Sequence, residues 1–384
     1  MTRWRAAVFL LFLFNGIGTG TWASRTPAIA DGLGIGVIHM GGLITGMPMG
    51  SILAILVSSH VLHALGVRWT MRLALGVSAL GLAGVGVAAG ILGSYPLTFA
   101  AFIVYGFGNS LANTALNVEA AEIDREGSRT LLPLFHATWS IGTFAGSGLG
   151  ALAAGAGLAL PVHLGMSAAL LVVGAALFVS LLPAVQVDEP RHAPTTFGER
   201  TRVWLEPRTL LIGVMVLGAA FTEGTATNWL ALSMTEDRAF TPEGAAGILA
   251  LFTGSMTVGR IAGGGAVDRF GRVAVLRACF GLAAAGVLIV VLVPSAVGIG
   301  AGVVLWGLGA SLGFPLGVSA AADVPHNAAA RVSAVAAVAS IAFLSGPSII
   351  GLLGERVGLL GAFLLVVALL VVALSVSSAA RRPA

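Results

Sequence analysis

Twelve apolar stretches follow one another along the chain, with only short polar turns between most of them. About 20 apolar residues suffice for an α-helix to cross the hydrocarbon core of a bilayer. Only 9% of the 384 residues are charged and 57% are hydrophobic, whereas a soluble domain carries about 25% charged residues. Because so few charges cannot cover a water-facing surface, the sequence predicts an all-α membrane protein.

A longer polar segment divides the stretches into two groups of six. The linker at 184–207 contains seven charged residues and three prolines, and it is too short to form a domain. The predicted domains are an N-terminal six-helix bundle at 1–183, a cytoplasmic linker at 184–207 and a C-terminal six-helix bundle at 208–384. The predicted spans are 6–28, 37–61, 70–92, 97–119, 131–156, 160–182, 209–232, 244–266, 274–293, 297–321, 332–352 and 358–379.

The arginines predict the orientation of the chain. All 20 basic residues are Arg, and with the N-terminus inside the cell sixteen of them lie at cytoplasmic flanks or loops. Three, Arg25, Arg238 and Arg356, lie on the outer side, and Arg260 lies within a span. This bias follows the positive-inside rule and predicts a multi-pass protein of the bacterial inner membrane with both termini cytoplasmic. It also explains the basic pI near 10.5 without any nucleic acid partner.

The two halves resemble each other in sequence. Three segments match in the same order, at offsets of 207, 201 and 200 residues. Parallel six-span repeats are one layout of secondary transporters, with a substrate site near mid-membrane between the halves. Chance similarity between glycine-rich apolar segments is the alternative. The matches are Phe14 and Trp22 with Phe221 and Trp229, Tyr105–Glu122 with Trp306–Asp323, and Ser140, Ile141 and Gly146 with Ser340, Ile341 and Gly346.

Glycines four residues apart recur in spans two, five and ten. Small residues at this spacing let helices approach closely in lipid, which is a packing role. The functional alternative is that smooth glycine faces let helices slide during transport. The triplets are Gly42, Gly46 and Gly50; Gly142, Gly146 and Gly150; and Gly309, Gly313 and Gly317.

The loop after span eight has a distinctive charged motif, which runs Gly-Gly-Ala-Val-Asp-Arg-Phe-Gly-Arg over 264–272. It resembles the GxxxDRxGR signature of the major facilitator superfamily. That resemblance implies the major facilitator fold, with twelve helices in two pseudo-symmetric bundles, and a transport function. In the corresponding loop after span two the motif is degraded, with Ser59, His63, Ala64 and Val67 at the key positions and only Gly66 kept. The predicted cytoplasmic gating motif is Gly264, Asp268, Arg269, Gly271 and Arg272.

Charged pairs in such a loop can latch one conformation and open in another. Asp268 is expected to accept hydrogen bonds from a helix end or from arginines, and Arg269 and Arg272 to pair with acids. The alternative is a charge cluster that only orients the chain in the membrane.

A second resemblance concerns spans four and five. Asn117, Glu119 and Glu122, followed by the segment 132–142, are similar to the YbjJ/MosC-type branch near the fucose-permease-like sugar transporters. Drug antiporters of this superfamily carry an arginine in span four and a Gly-Pro pair in span five. Here that arginine is absent and the pair lies in span eleven, at Gly346-Pro347. The branch therefore favours a sugar-like solute over a drug.

Four ionisable residues lie within predicted spans. A charge inside the bilayer is costly, so such residues are functional candidates. Glu223 is the leading candidate for proton coupling, with Glu119, His136 and Arg260 as further candidates. Each has a structural alternative: Glu223 as a hydrogen-bonded acid, Glu119 as an interfacial group, His136 as a packing residue. Arg260 is expected to pair with Asp268 or with a partner in span seven.

Amides and aromatic residues near mid-depth are the candidates for contacting a solute. Amides can bind hydroxyl groups, and aromatic rings can stack on sugar faces. For the tryptophans, an aromatic belt at the membrane surface or plain packing is the alternative. The candidates are Asn15, Trp22, Asn109, Asn113, Trp139, Ser140, Asn228, Trp229 and Trp306.

Taken together, these features predict a secondary transporter that moves a small organic solute by alternating access, with proton symport of a sugar-like solute as the leading hypothesis. The alternatives are an efflux antiporter of the same fold and, more distantly, a membrane receptor.

The absence of a GxxxxGK[ST] loop leaves ATP-driven transport without support. With one cysteine and no catalytic cluster, neither an enzyme, a metal site nor a cofactor is expected. The expected partners are the solute, protons and the lipid bilayer, and the protein is expected to be a monomer.

Overall fold

A computed structural model describes residues 3–126, 132–182, 203–324 and 328–382. Within these ranges the chain is almost entirely helical and contains no β-strand. The helices are α1 (Arg3–Ser24), α2 (Thr26–Leu33), α3 (Val37–Ile44), α4 (Gly46–Gly90), α5 (Tyr95–Glu126), α6 (Leu132–Gly155), α7 (Leu160–Phe178), α8 (Pro207–Glu236), α9 (Pro242–Phe270), α10 (Arg272–Leu292), α11 (Ala296–Ala310), α12 (Gly313–Ala321), α13 (Ala328–Val357), α14 (Leu359–Ala362) and α15 (Leu364–Val376).

Ten helical segments of the described chain are long and apolar enough to cross a membrane. Two further long helices, α5 and α6, fill the predicted spans 97–119 and 131–156. The C-terminal half of α5 contains two asparagines, three glutamates, one aspartate and one arginine, which lowers its hydropathy. The predicted all-α membrane fold is confirmed.

The observed helices differ from the predicted spans at three places. The first continues beyond residue 28, since α2 begins with Pro27 in its first turn and runs to Leu33. Spans two and three merge into α4, whose one break is Gly66. Span ten divides between α11 and α12 at Ser311 and Leu312, and Pro315 stands in the first turn of α12, where a missing N–H costs least.

The chain divides into two compact units. The first comprises the described residues of Met1–Glu189 and Leu230–Thr253, and the second those of Pro190–Trp229 and Gly254–Ala384. The division at 1–183, 184–207 and 208–384 stays a prediction, and most of the linker lies outside the described residues.

Glycines allow a very close contact between two helices of the first unit, α1 and α6. A side-chain carbon built on Gly16 or Gly20 of α1 would lie 2.1 or 2.0 Å from a backbone oxygen of α6, and one built on Gly142 of α6 would lie 2.1 Å from the Leu13 oxygen of α1. Gly146 meets the Ile17 oxygen in the same way. The predicted packing role of the span-five glycines is therefore seen directly, because these backbones touch without intervening side chains.

Candidate functional site

An ion pair lies deep within the second unit. Arg260 of α9 donates from Nη2 to both carboxylate oxygens of Glu223 of α8, at 3.0 Å each. Each side chain is only 13% exposed. Of the two partners that the sequence leaves open for Arg260, the structure selects the span-seven acid, Glu223, over Asp268.

The helix break in span ten helps to hold this arginine. Arg260 Nε donates to the backbone oxygen of Ser311 at 3.3 Å. Ser311 follows the end of α11, where the last carbonyls of a helix lack intrahelical partners. Gly259 allows α9 to come close, since a side-chain carbon there would lie 2.4 Å from Ser311 Oγ. Arg260 is thus fixed both by a charge and by a backbone acceptor.

The other two candidates for proton coupling lie in the first unit and are held differently. Glu119 of α5 is buried and accepts a hydrogen bond from the Trp4 indole N–H. His136 is exposed on α6, and its ring stands edge-on to Phe12 at 5.5 Å. Neither is paired with an arginine in the manner of Glu223, although both have partners. Their predicted role in proton coupling stays a prediction.

A polar cluster joins α1 and α5 in the first unit. Asn109 Nδ2 lies 3.2 Å from Thr19 Oγ1 and 3.3 Å from the Tyr105 hydroxyl. Thr19 and Tyr105 lie 3.4 Å apart, and Thr19 Oγ1 also donates to the Asn15 backbone oxygen at 3.5 Å. The Asn15 side chain is buried, and its Nδ2 has no hydrogen-bond partner in the described part of the chain. Two of the predicted solute contacts, Asn15 and Asn109, thus belong to one cluster.

The remaining candidates for solute contact differ in exposure. Trp22, Trp229 and Trp306 are fully buried, and Trp22 and Trp306 pack edge-on against Phe102 and Phe363 at 5.3 and 5.5 Å. In this conformation those two rings pack against protein. Asn113 and Trp139 are half-buried, Asn228 is buried, and the buried Ser140 donates to the His136 backbone oxygen at 3.2 Å. Their contact with a solute stays a prediction.

The signature segment 264–272 spans the end of α9 and the start of α10. Gly271 has φ 81° and ψ 154°, a backbone conformation essentially restricted to glycine. Arg272 then pairs with Asp323, with Nη1–Oδ2 at 2.8 Å and Nη2–Oδ1 at 3.0 Å. Arg208 Nη2 donates to the same carboxylate at 2.9 Å.

The acid in this network is not the expected one. Asp268 is exposed and forms no ion pair within the described ranges, and Arg269 is exposed above the Phe270 ring. Gly264 faces open space. Because α9 remains helical through Phe270, Asp268 and Arg269 face outward, and the turn at Gly271 directs only Arg272 inward. Within the described residues Arg272 thus pairs with an acid, whereas Asp268 and Arg269 form no ion pair, and the gating role of the motif stays a prediction.

Asp323 was missed as a site residue, although the sequence contains a signal for it. It is the acid that follows Ala321-Ala322 in the repeat, opposite Glu122. Burial alone would raise its pKa, but the hydrogen bonds and charges of Arg272 and Arg208 outweigh burial and lower the pKa below its ordinary value. The carboxylate therefore stays ionised and holds both arginines.

Comparison with known proteins identifies the family. Residues 212–383 match the model of the Major Facilitator Superfamily. The uncharacterized transporter y4wD of Sinorhizobium fredii is 30% identical over 92% of this chain and 92% of its own. The chain belongs to the major facilitator superfamily. Within that superfamily, the membrane protein MosC of Rhizobium meliloti is 28% identical over 94% of this chain and 86% of its own.

Solved structures support the superfamily fold. The nucleoside transporter NupG superposes with a TM-score of 0.73 at 16% identity, covering 98% of both chains. FucP in its outward conformation superposes with a TM-score of 0.67 at 17% identity, again over 98% of both chains. The twelve-helix major facilitator fold is confirmed, and the protein is a multi-pass membrane transporter of this superfamily. In the described residues, no group of three or more His, Cys, Asp or Glu side chains could hold a metal ion.

Proposed function

We propose that this transporter carries a small, polyhydroxylated organic solute together with protons by alternating access. The protein is proposed to act as a monomer in a bacterial inner membrane, with both termini in the cytoplasm. The observation that carries the proposal is the Glu223–Arg260 ion pair, whose side chains are 13% exposed. Both of its residues lie within predicted spans, whereas the pairs of Asp323 and Glu206 lie beyond the span ends.

The pair supports proton coupling because its two charges depend on each other. A buried arginine whose partner becomes neutral is left uncompensated, which costs several kcal/mol. Protonation of Glu223 would therefore release Arg260 to seek a different partner, such as a solute or another conformation. Binding of a proton to the Glu223 carboxylate would thus change the relative stability of two conformations of the transporter.

The chemistry of the solute is inferred from the polar cluster and from the structural neighbours. Asn109, Thr19 and Tyr105 offer amide and hydroxyl groups that suit a hydroxylated ring, and the half-buried Trp139 offers an aromatic face. NupG is described as a nucleoside transporter and FucP as a fucose:proton symporter. Both solutes contain a sugar ring, so fucose and uridine are the first probes.

The test is uptake of radiolabelled fucose and uridine into proteoliposomes with an imposed pH gradient. The wild type is expected to accumulate one of these probes only when the outside is acidic. Glu223→Gln is expected to lose at least tenfold of that accumulation yet keep solute exchange without a gradient, because solute binding does not need the proton. Glu355→Gln, at an exposed acid of α13, is the matched control and should accumulate like the wild type.

Two outcomes of this uptake experiment would contradict the proposal. Accumulation by Glu223→Gln that still follows the pH gradient would remove Glu223 from coupling. Accumulation only with the acidic side inside would identify a proton antiporter, the alternative reading of the same pair. Glu223→Asp keeps the charge and should retain gradient-driven uptake, which separates loss of coupling from loss of folding.

A further inference from the structure

A buried arginine lies at the predicted outer end of the first unit. Arg25 joins α1 to α2, and the residue is only 7% exposed. Its Nη2 donates to the Leu158 backbone oxygen at 2.9 Å. Its Nη1 is buried and has no hydrogen-bond partner in the described part of the chain. The expectation that Arg25 is an outer flank residue is thus incomplete, because the guanidinium is inside the protein.

A buried histidine faces the same place. His163 lies in the first turn of α7, the residue is 5% exposed, and neither ring nitrogen has a partner within the described ranges. A side-chain carbon built on Gly150 would lie 1.8 Å from Ser24 Oγ and 3.7 Å from His163 Cε1. Gly150 therefore lets the residue next to Arg25 and the His163 ring approach each other. Three buried polar atoms, Arg25 Nη1 and both His163 nitrogens, share one region without acceptors or donors from the protein.

No acid among the described residues of the first unit pairs with this arginine. Arg25 forms no ion pair with any described carboxylate. The acids at the predicted outer end of the unit, Asp31, Glu236, Asp237 and Glu243, are all exposed. The nearby polar groups are neutral hydroxyls, with Ser167 Oγ 3.4 Å from Thr21 Oγ1 and Ser24 Oγ donating to the Thr21 backbone oxygen at 2.9 Å.

An unpaired buried charge is among the costliest arrangements in a protein. A water molecule could satisfy hydrogen bonds here but could not neutralise the guanidinium. An anion does both, because it accepts from Arg25 Nη1 and from one N–H of His163. Arginine donors are well suited to anions, since their charge persists on burial.

We propose that Arg25 and His163 form a binding site for one small inorganic anion, with chloride as the probe. The site is separate from the Glu223–Arg260 pair, which belongs to the second unit. It therefore does not rest on the proton-coupled function proposed above. The anion would neutralise Arg25 and tie the junction of α1 and α2 to the start of α7.

The direct test is binding of ³⁶Cl⁻ to the purified full chain, measured by scintillation proximity. The wild type should bind chloride saturably, at one ion per chain, and Arg25→Gln should lose that binding. Arg356→Gln is the matched control, since Arg356 is an exposed arginine on the same predicted side, and it should bind like the wild type. His163→Phe keeps a ring but no N–H and should weaken binding by about tenfold, the value of a hydrogen bond to a charged group.

A second measurement, the melting temperature, keeps the proposal testable if Arg25→Gln does not fold. Exchange of gluconate for chloride at constant ionic strength should raise the melting temperature of the wild type, of Arg356→Gln and of the charge-retaining Arg25→Lys. His163→Phe should show a smaller rise. Competition with acetate and phosphate then separates a halide site from one that accepts oxyanions.

Two results would overturn the proposal. The first is folded wild-type protein that binds no saturable chloride, acetate or phosphate, which would leave only ordered water at Arg25. The second is chloride binding that is unchanged in Arg25→Gln or in His163→Phe, which would place the anion elsewhere.

Discussion

The two repeats share a glycine turn at corresponding positions, but the residue after the glycine is apolar in one repeat and charged in the other. Gly66, within α4, has φ 68° and ψ 168°, and Gly271, between α9 and α10, has φ 81° and ψ 154°. The residue after each glycine is directed inward. After Gly66 it is Val67, which is 2% exposed, whereas after Gly271 it is Arg272, whose side chain is 9% exposed and paired with Asp323.

The comparison separates two requirements that the signature motif combines. Both repeats need a glycine at the turn, because the backbone conformation there excludes other residues. The buried position that follows accepts either an apolar side chain or a charge with its partner. Replacing a buried ion pair by apolar residues of similar volume often changes the stability of a protein little. Either an apolar residue or an ion pair is therefore compatible with the fold at this position.

The largest expected effect comes from removing the acid of the Arg272–Asp323 ion pair. Asp323→Leu should lower the free energy of unfolding by about 3 kcal/mol, because Arg272 is left buried without its acid. The double variant Arg272→Met with Asp323→Leu should recover most of this loss, since it recreates the apolar filling of Val67. The measurement is a double-mutant cycle from SDS-induced unfolding in mixed micelles.

The Arg331–Glu206 pair supplies the control for that cycle. Its Arg331 Nη2–Glu206 Oε1 distance is 2.9 Å, but the Glu206 side chain is 35% exposed. Water competes for an exposed pair, so its coupling energy should stay below about 1 kcal/mol. Equal coupling energies for the two pairs would show that burial does not distinguish them.

The next largest effect tests the shared backbone. Gly66→Ala and Gly271→Ala should each cost about 1–3 kcal/mol, and by similar amounts, because both place a side chain in a conformation that suits only glycine. Gly264→Ala is the control: Gly264 is helical and faces open space, so alanine there should be neutral or stabilising. A large loss in only one of the two turns would contradict their equivalence.

The smallest effect concerns pH. The lowered pKa of Asp323 means that its stabilisation is complete above its ordinary pKa of about 3.9 and is lost as pH falls through the lower, folded-state pKa. Between pH 7 and pH 3, the wild type should therefore lose more stability than the Arg272→Met, Asp323→Leu variant, which lacks this carboxylate. Parallel pH profiles of the melting temperature would exclude the contribution of Asp323.

The fold was largely predictable because it depends on composition and periodicity. Apolar length identified the spans, and the glycine triplets identified close helix contacts such as Gly142 against α1. The span limits failed where a local residue changes the backbone: Pro27 starts a helix where the first span was expected to end, and Ser311 interrupts the tenth. Such breaks depend on single residues and leave the hydropathy pattern unchanged.

The sequence identified Glu223 and Arg260 as candidate residues but left two possible partners open for Arg260. Glu223 and Arg260 stand out because charges are rare inside spans, yet 37 residues separate them, so only the packed helices determine that they meet. Asp323 was overlooked because it lies just beyond a span, where an acid is unremarkable in sequence. The charge of Arg25 was visible, but its burial depends on α6 and α7, which are distant in the chain.

The contact between α1 and α6 affects how mutational data on this protein should be interpreted. Gly16, Gly20, Gly142 and Gly146 leave no room for even one methyl group beside the facing backbone. A saturation scan scored by transport would therefore show a row of intolerant positions along these two helices. Those positions would resemble a solute pathway, although their sensitivity would report assembly of the helices, and measured protein abundance in the membrane would separate the two.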